Sequence, residues 1–175
     1  MLPPAYFGPI TYFGHLVPAG GVGLRSCDRF QKQTIRNRSE ILGANGKIRL
    51  TVPLIKWSTK VSINEIRIDN SSNWKHVHWM SIQSAYRNSA FFDHYENQIN
   101  SFFKEEFDFL VDLNVASIRL AVTLLKTDLD IQLIEESNDL NSESFIDLTA
   151  EFVKKRPTLP LPKYTQVFSD RFDFV

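Results

Sequence analysis

A glycine-bounded turn followed by an alternating segment is the sequence feature that most limits how this chain can fold. Residues 43–46 read Gly-Ala-Asn-Gly, which supplies residues that tolerate the positive φ angles of hairpin turns. From Lys47 to Val52, polar and apolar side chains alternate with a period of two, as in a half-buried strand. The sequence therefore predicts an antiparallel hairpin across Gly43 to Gly46.

The remaining patterns predict a single mixed α/β domain over residues 1–175. A small twisted sheet that includes the hairpin is covered by helices, with an α+β fold as the alternative. Strands are predicted at residues 2–7, 24–41, 47–55, 61–68 and 131–135, and helices at residues 10–17, 74–89 and 106–126. The apolar phase changes within the 61–68 strand, which predicts a bulge or a boundary at Asn64-Glu65. The apolar end at Phe174 and Val175 is compatible with a natural chain that continues, so that this domain would lack a C-terminal segment.

Composition excludes several functional classes. The 175 residues carry 20 Lys and Arg against 20 Asp and Glu, and a balanced charge argues against a general nucleic-acid binder. No run of apolar residues reaches the ~20 that a membrane-spanning helix needs. The single cysteine, Cys27, cannot form an intramolecular disulfide, and together with the absence of signal-peptide character this favours a cytoplasmic location.

The charges are nevertheless unevenly distributed. Residues 25–38 hold five cations and one acid, Asp28; the cations are Arg25, Arg29, Lys32, Arg36 and Arg38. Guanidinium and amide groups offer several donors in fixed geometry, which suits carboxylates and phosphates. We therefore expect a small anionic substrate here, although a solvated basic edge strand would need no ligand. Seven acids between residues 128 and 147, with no Lys or Arg among them, are expected to balance this segment in space.

Two polar residues fall on apolar helix faces. His78 shares a face with Trp74 and Ile82, so it is either a general base, because imidazole titrates near neutral pH, or a packed core histidine. Asn114 interrupts the apolar stripe of residues 107–125, as a clamp on neighbouring backbone or as a pocket residue. No His, Cys and Asp cluster has metal-ligand spacing, and no cofactor motif is present.

Several short motifs, in order along nearly the whole chain, match one known pattern. They are PAYFGP at residues 4–9, QKQT at 31–34, RNR at 36–38, ILGANG at 41–46, LTVP at 50–53, the Trp74, His78-Trp79 and Tyr86 series, DLN at 112–114 and YTQVF at 164–168. In these motifs the chain resembles the WbqC-like family of bacterial proteins.

The resemblance implies a function in surface-polysaccharide biosynthesis. The family takes its name from O-antigen (lipopolysaccharide) gene clusters, where transfer of glycine onto an amino sugar has been suggested. The implied activity is transfer of a glycyl or other acyl group to an amino sugar or nucleotide sugar. Such a reaction needs a base, donors for the oxyanion and cations for a phosphate.

The candidate site residues follow from these needs. His78 is the candidate catalytic base, and the candidate substrate-binding residues are Tyr6, Gln31, Lys32, Arg36, Asn37, Arg38, Trp74 and Asn114. The alternative is a non-catalytic module that binds a sugar phosphate or a protein. A transferase should place His78 at a pocket lined by the cations, whereas a binding module could leave His78 buried. A glycosyltransferase is less favoured, because Asp128-Leu129-Asp130 fits a helix-exit loop better than a metal pair.

Overall fold

Helices and two short strand pairs form a mixed α/β fold, as predicted. The structure is a computed structural model that describes residues 1–56, 58, 60–135, 146–154 and 166–172. In chain order the elements are α1 (Ile10–Leu16), β1 (Gly21–Arg25), β2 (Arg38–Gly43), β3 (Gly46–Thr51), a 3₁₀ turn (Ile63–Glu65), α2 (Trp74–Tyr86), α3 (Phe92–Lys104), α4 (Leu110–Leu124), β4 (Asp130–Ile134) and α5 (Thr149–Lys154). Among these described helices, none combines the length and the apolar character that crossing a membrane requires.

The predicted hairpin is confirmed. Strands β2 and β3 pair antiparallel with Arg38 opposite Thr51 and Gly43 opposite Gly46. Gly46 has a φ of 108°, a conformation that side-chain-bearing residues rarely adopt. The glycine at this position is therefore what allows the chain to reverse between the two strands.

Replacing Gly46 with alanine is expected to lower the free energy of unfolding by about 1 kcal/mol or more, because alanine is strained at positive φ. Urea unfolding measures the change. Gly21→Ala is the matched control, since an added Cβ there meets only ordinary contacts at 3.8 Å. Equal losses in the two variants would contradict a specific need for glycine at position 46.

The second strand pair joins distant parts of the chain. Strand β1 pairs parallel with β4, from Gly21 opposite Asp130 to Arg25 opposite Ile134, which confirms the strand predicted at residues 131–135. The strand predicted at residues 2–7 is reduced to one bridge between Leu2 and Leu24. The predicted single sheet is thus two separate two-stranded pairs.

Of two other strand predictions, one is wrong and one is confirmed only at its predicted break. Residues 26–37 between β1 and β2 form turns instead of an extended strand, because buried side chains of this segment bind its own backbone. The strand predicted at residues 61–68 is interrupted by the 3₁₀ turn Ile63–Glu65, which covers the bulge or boundary predicted at Asn64-Glu65. Ser62 starts this turn, since its hydroxyl oxygen accepts a bond from the amide of Asn64.

Helix α4 separates two apolar clusters and forms the centre of the fold. Leu110 and Leu113 pack with α2, α3 and the hairpin, whereas Ile118 and Val122 pack with α1, β1 and the first residues of the chain. The predicted helices at 74–89 and 106–126 are confirmed with shorter bounds. Asn73 precedes α2, a position where its side chain could cap the helix, but it makes no side-chain capping bond. Apolar burial therefore fixes these helices more than capping does.

Candidate functional site

Tyr6 and His78 form a buried hydrogen-bonded pair between the N-terminal segment and α2. The Tyr6 hydroxyl lies 2.8 Å from His78 Nδ1, and the exposed fractions are 0% for Tyr6 and 4% for His78. Trp74, one turn earlier on α2, packs edge-on against His78 with ring centroids 5.1 Å apart. Helical spacing of four residues places Trp74 and His78 on the same inward face.

Burial sets the protonation state of this pair. Desolvation lowers the pKa of His78 to about 4, and a backbone hydrogen bond at Thr51 acts in the opposite direction. With this pKa the imidazole is neutral at pH 7, so His78 Nδ1 can accept the proton of the Tyr6 hydroxyl. Desolvation also raises the pKa of Tyr6 well above its usual value.

Asn114 clamps two backbone segments. Its Nδ2 donates to the carbonyl of Arg36 at 2.9 Å and to the carbonyl of Pro4 at 3.3 Å, and the residue is fully buried. The amide orientation follows, because a flipped amide would set its oxygen against two carbonyl oxygens. Asn114 Oδ1 has no partner among the described residues.

Arg36 is buried in the turn segment and makes internal contacts. Only 1% of the residue is exposed, and its guanidinium bonds the carbonyl of Arg29 and the carboxylate of Asp28, each at 2.9 Å. Burial lowers the pKa of Arg36, with Asp28 opposing the effect. Arg36 thus holds residues 28–36 together.

The other cations and amides of the segment lie at or near the surface. Arg29, Gln31 and Lys32 are exposed, and Arg38 is half-buried at the start of β2. Asn37 is buried, and its Oδ1 accepts the Gln33 amide at 3.1 Å. The segment therefore has an inner face that supports the turn and an outer face that carries Arg29, Gln31 and Lys32.

The N-terminal segment links the buried candidates. The Tyr6 amide donates to the carbonyl of Ile35 at 2.9 Å, beside the clamp of Asn114 on Pro4 and Arg36. Tyr6, Arg36, Trp74, His78 and Asn114 are thus brought into one continuous buried region. The structure separates them from the outward-facing Gln31 and Lys32.

Sequence reasoning missed several residues that hold this region. Ser117 lies one turn beyond Asn114, donates to the carbonyl of Ala5 at 3.0 Å and accepts the amide of Phe7 at 3.3 Å. The spacing of three from Asn114 on an apolar stripe was a usable signal. From the sequence, Asp28 is only the one acid among five cations, whereas in the structure it is the ion-pair partner of Arg25 and Arg36.

The expected balance between the acidic stretch and the basic segment is confirmed at one contact. Asp147 lies 2.8 Å from Arg25. Burial acts to raise the pKa of the Asp147 carboxyl, but hydrogen bonding with Thr149 and the charge of Arg25 outweigh this effect, so the pKa of Asp147 is lowered. Glu136, Asp139 and Glu143 fall outside the described residues. Within the described ranges, no group of three or more His, Cys, Asp or Glu is arranged to hold a metal ion.

Comparison with known proteins identifies a family and no individual relative. The sequence profile of the WbqC-like protein family matches residues 4–168 of the 175. No curated protein and no solved structure matches the chain.

Proposed function

The chain belongs to the WbqC-like protein family, and from this membership and its outward-facing cations we propose that it binds a phosphate-bearing sugar. The ligand class is a sugar phosphate or nucleotide sugar of surface-polysaccharide biosynthesis. The binding groups are the exposed Arg29, Gln31 and Lys32, together with Arg38, which is half-buried at the start of β2.

The ion pairs of Asp28 with Arg25 and Arg36 are the observation that carries this proposal. Asp28 is the one acid in residues 25–38, and it is held at 2.9 Å by both Arg25 and Arg36. Its carboxylate is therefore engaged by two guanidinium groups, neither of which belongs to the exposed Arg29. An external phosphate would meet two cations and the Gln31 amide on one short turn, a donor set that suits several oxygens.

The buried position of His78 favours binding over catalysis. A general base must reach the proton that it removes, and a pKa of about 4 makes His78 a weak acceptor for the proton of an ammonium group. Nδ1 is already paired with the Tyr6 hydroxyl, and the Thr51 backbone also interacts with the ring. Ligand binding needs no proton acceptor and is the simpler function for this arrangement.

Acyl transfer to an amino sugar is the second candidate, favoured by the Tyr6 and His78 pair. A hydroxyl 2.8 Å from a neutral imidazole is an arrangement that can pass a proton. In this reaction the sugar amine attacks the acyl carbon, the amide bond forms, the bond to the leaving group breaks, and the amine proton passes to a base. The reaction would require movement that opens the buried pair to substrate.

The binding function is tested with UDP-glucosamine and glucosamine phosphate, with glucosamine as the ligand that lacks phosphate. Calorimetric titration of the double variant Arg29→Ala/Lys32→Ala is expected to show binding of both phosphate ligands weakened about tenfold, because two charge-assisted contacts are lost. Binding should also weaken as salt rises, since exposed charges are screened.

A matched double variant controls for net charge. Lys56→Ala/Arg87→Ala removes two exposed cations elsewhere and should bind as the original protein does. Equal weakening in both double variants, or no binding of either phosphate ligand, would refute the proposal. His78→Gln tests the second candidate: it should retain ligand binding and lose any acyl product detected by mass spectrometry.

A further inference from the structure

A second surface, remote from the basic turn, has the features of a ligand site. A groove of about 620 Å³ lies between α3, α4 and β4, and it contains none of the residues discussed above as candidates. Its floor is apolar, with Phe107, Val115 and Leu120 half-buried and Ile131 and Leu133 contributed by β4. Clefts of this size with an apolar floor and few polar groups are typical of small-ligand sites.

Charged residues of opposite sign line different parts of this groove. Glu105 and Asp112 line the part where α3 passes to α4, and both are exposed. Arg119 lies two helical turns further along α4 and is also exposed. Along α4 the lining of the groove therefore passes from Asp112 across the apolar Val115 and Ala116 to Arg119, with Thr123 one turn beyond.

Helix geometry gives the spacing of the two charged residues on α4. Asp112 and Arg119 are seven residues apart on α4, so they lie on one stripe of the helix with their Cα atoms about 10 Å apart along its axis. An extended peptide spans ~3.3–3.6 Å per residue, so the two ends of a tripeptide are separated by about the same distance.

We propose that this groove binds a short apolar peptide of about three residues with free termini. The peptide amine lies at Glu105 and Asp112, its carboxylate lies at Arg119, and its side chains cover Val115, Leu120 and Leu133. This binding is independent of the sugar-phosphate function, because the two sites share no residue.

Calorimetric or NMR titration with the tripeptide Leu-Ala-Leu tests the proposal, together with its N-acetylated and C-amidated forms. Blocking either end should weaken binding about two- to fivefold, the range for exposed charge pairs. Asp112→Asn should lose the preference for the free amine and keep the preference for the free carboxylate. Arg119→Gln should show the reverse, which a purely structural role of either residue would not produce.

Exposed residues outside the groove supply the controls. Asp93→Asn on α3 and Arg87→Gln after α2 should leave all three affinities unchanged. The proposal is overturned if Leu-Ala-Leu does not bind, or if Asp112→Asn and Arg119→Gln change the affinities for free and blocked peptides equally. Loss of sugar-phosphate binding in these variants would likewise contradict the independence of the two sites.

Discussion

Replacing Asn114 with leucine is expected to lower the free energy of unfolding by about 3 kcal/mol. The substitution leaves the carbonyls of Pro4 and Arg36 buried without the donor that they share, and each unpaired buried group costs about 1–3 kcal/mol. Leucine has a similar volume, so the loss reports mainly on hydrogen bonding. Urea unfolding followed by tryptophan fluorescence measures it.

Asn97→Leu is the matched control for this prediction, since Asn97 is exposed on α3. It should change stability by no more than about 0.5 kcal/mol. If Asn114→Leu were as stable as Asn97→Leu, the clamp on Pro4 and Arg36 would contribute nothing to the fold.

Acidification is expected to remove about 3 kcal/mol of stability through His78 alone. Its pKa is about 4 in the folded protein and 6.5 as the reference value, so between these values the unfolded chain binds a proton that the folded chain does not. The contribution is therefore fully present above pH 6.5 and is lost as the pH falls towards 4. Urea unfolding at several pH values measures the slope.

The variant His78→Gln isolates this contribution, because glutamine does not titrate. The difference in unfolding free energy between the original protein and His78→Gln should shrink by about 3 kcal/mol from pH 7 to pH 4. His76→Gln, exposed on the same helix, should keep the pH dependence of the original protein. Parallel curves for all three proteins would show that His78 is not buried in its neutral form.

Local sequence patterns were sufficient to predict the structure where the conformation of a segment depends mainly on its own residues. The hairpin at Gly43 and Gly46 depends on backbone conformation within a few residues, and the long apolar stripe specifies α4 by its own periodicity. The fold class and the family followed from such signals taken together.

Sequence patterns did not predict the structure where it depends on contacts between residues far apart in the sequence. Helix α3 was not predicted, because its sequence is mostly polar between Phe92 and the pair Phe102 and Phe103, which anchor it in the core. The 26–37 segment resembled a basic strand, but ion pairs of Asp28 with Arg25 and Arg36 fold it into turns. The partners of Tyr6, on α2 and in the turn, could not be read from spacing.

The parallel pairing of β1 with β4 has a consequence for how the protein acquires its structure. Gly21 meets Asp130 only after the intervening hairpin and three long helices have been synthesised, and Arg25 must wait longer still for Asp147. Closing so large a loop is entropically costly before its contacts form, and domains dominated by such pairings fold in about milliseconds to seconds. During translation β1 can therefore pack against the chain start and α4 before β4 arrives, and only its pairing edge has to wait for the later strand.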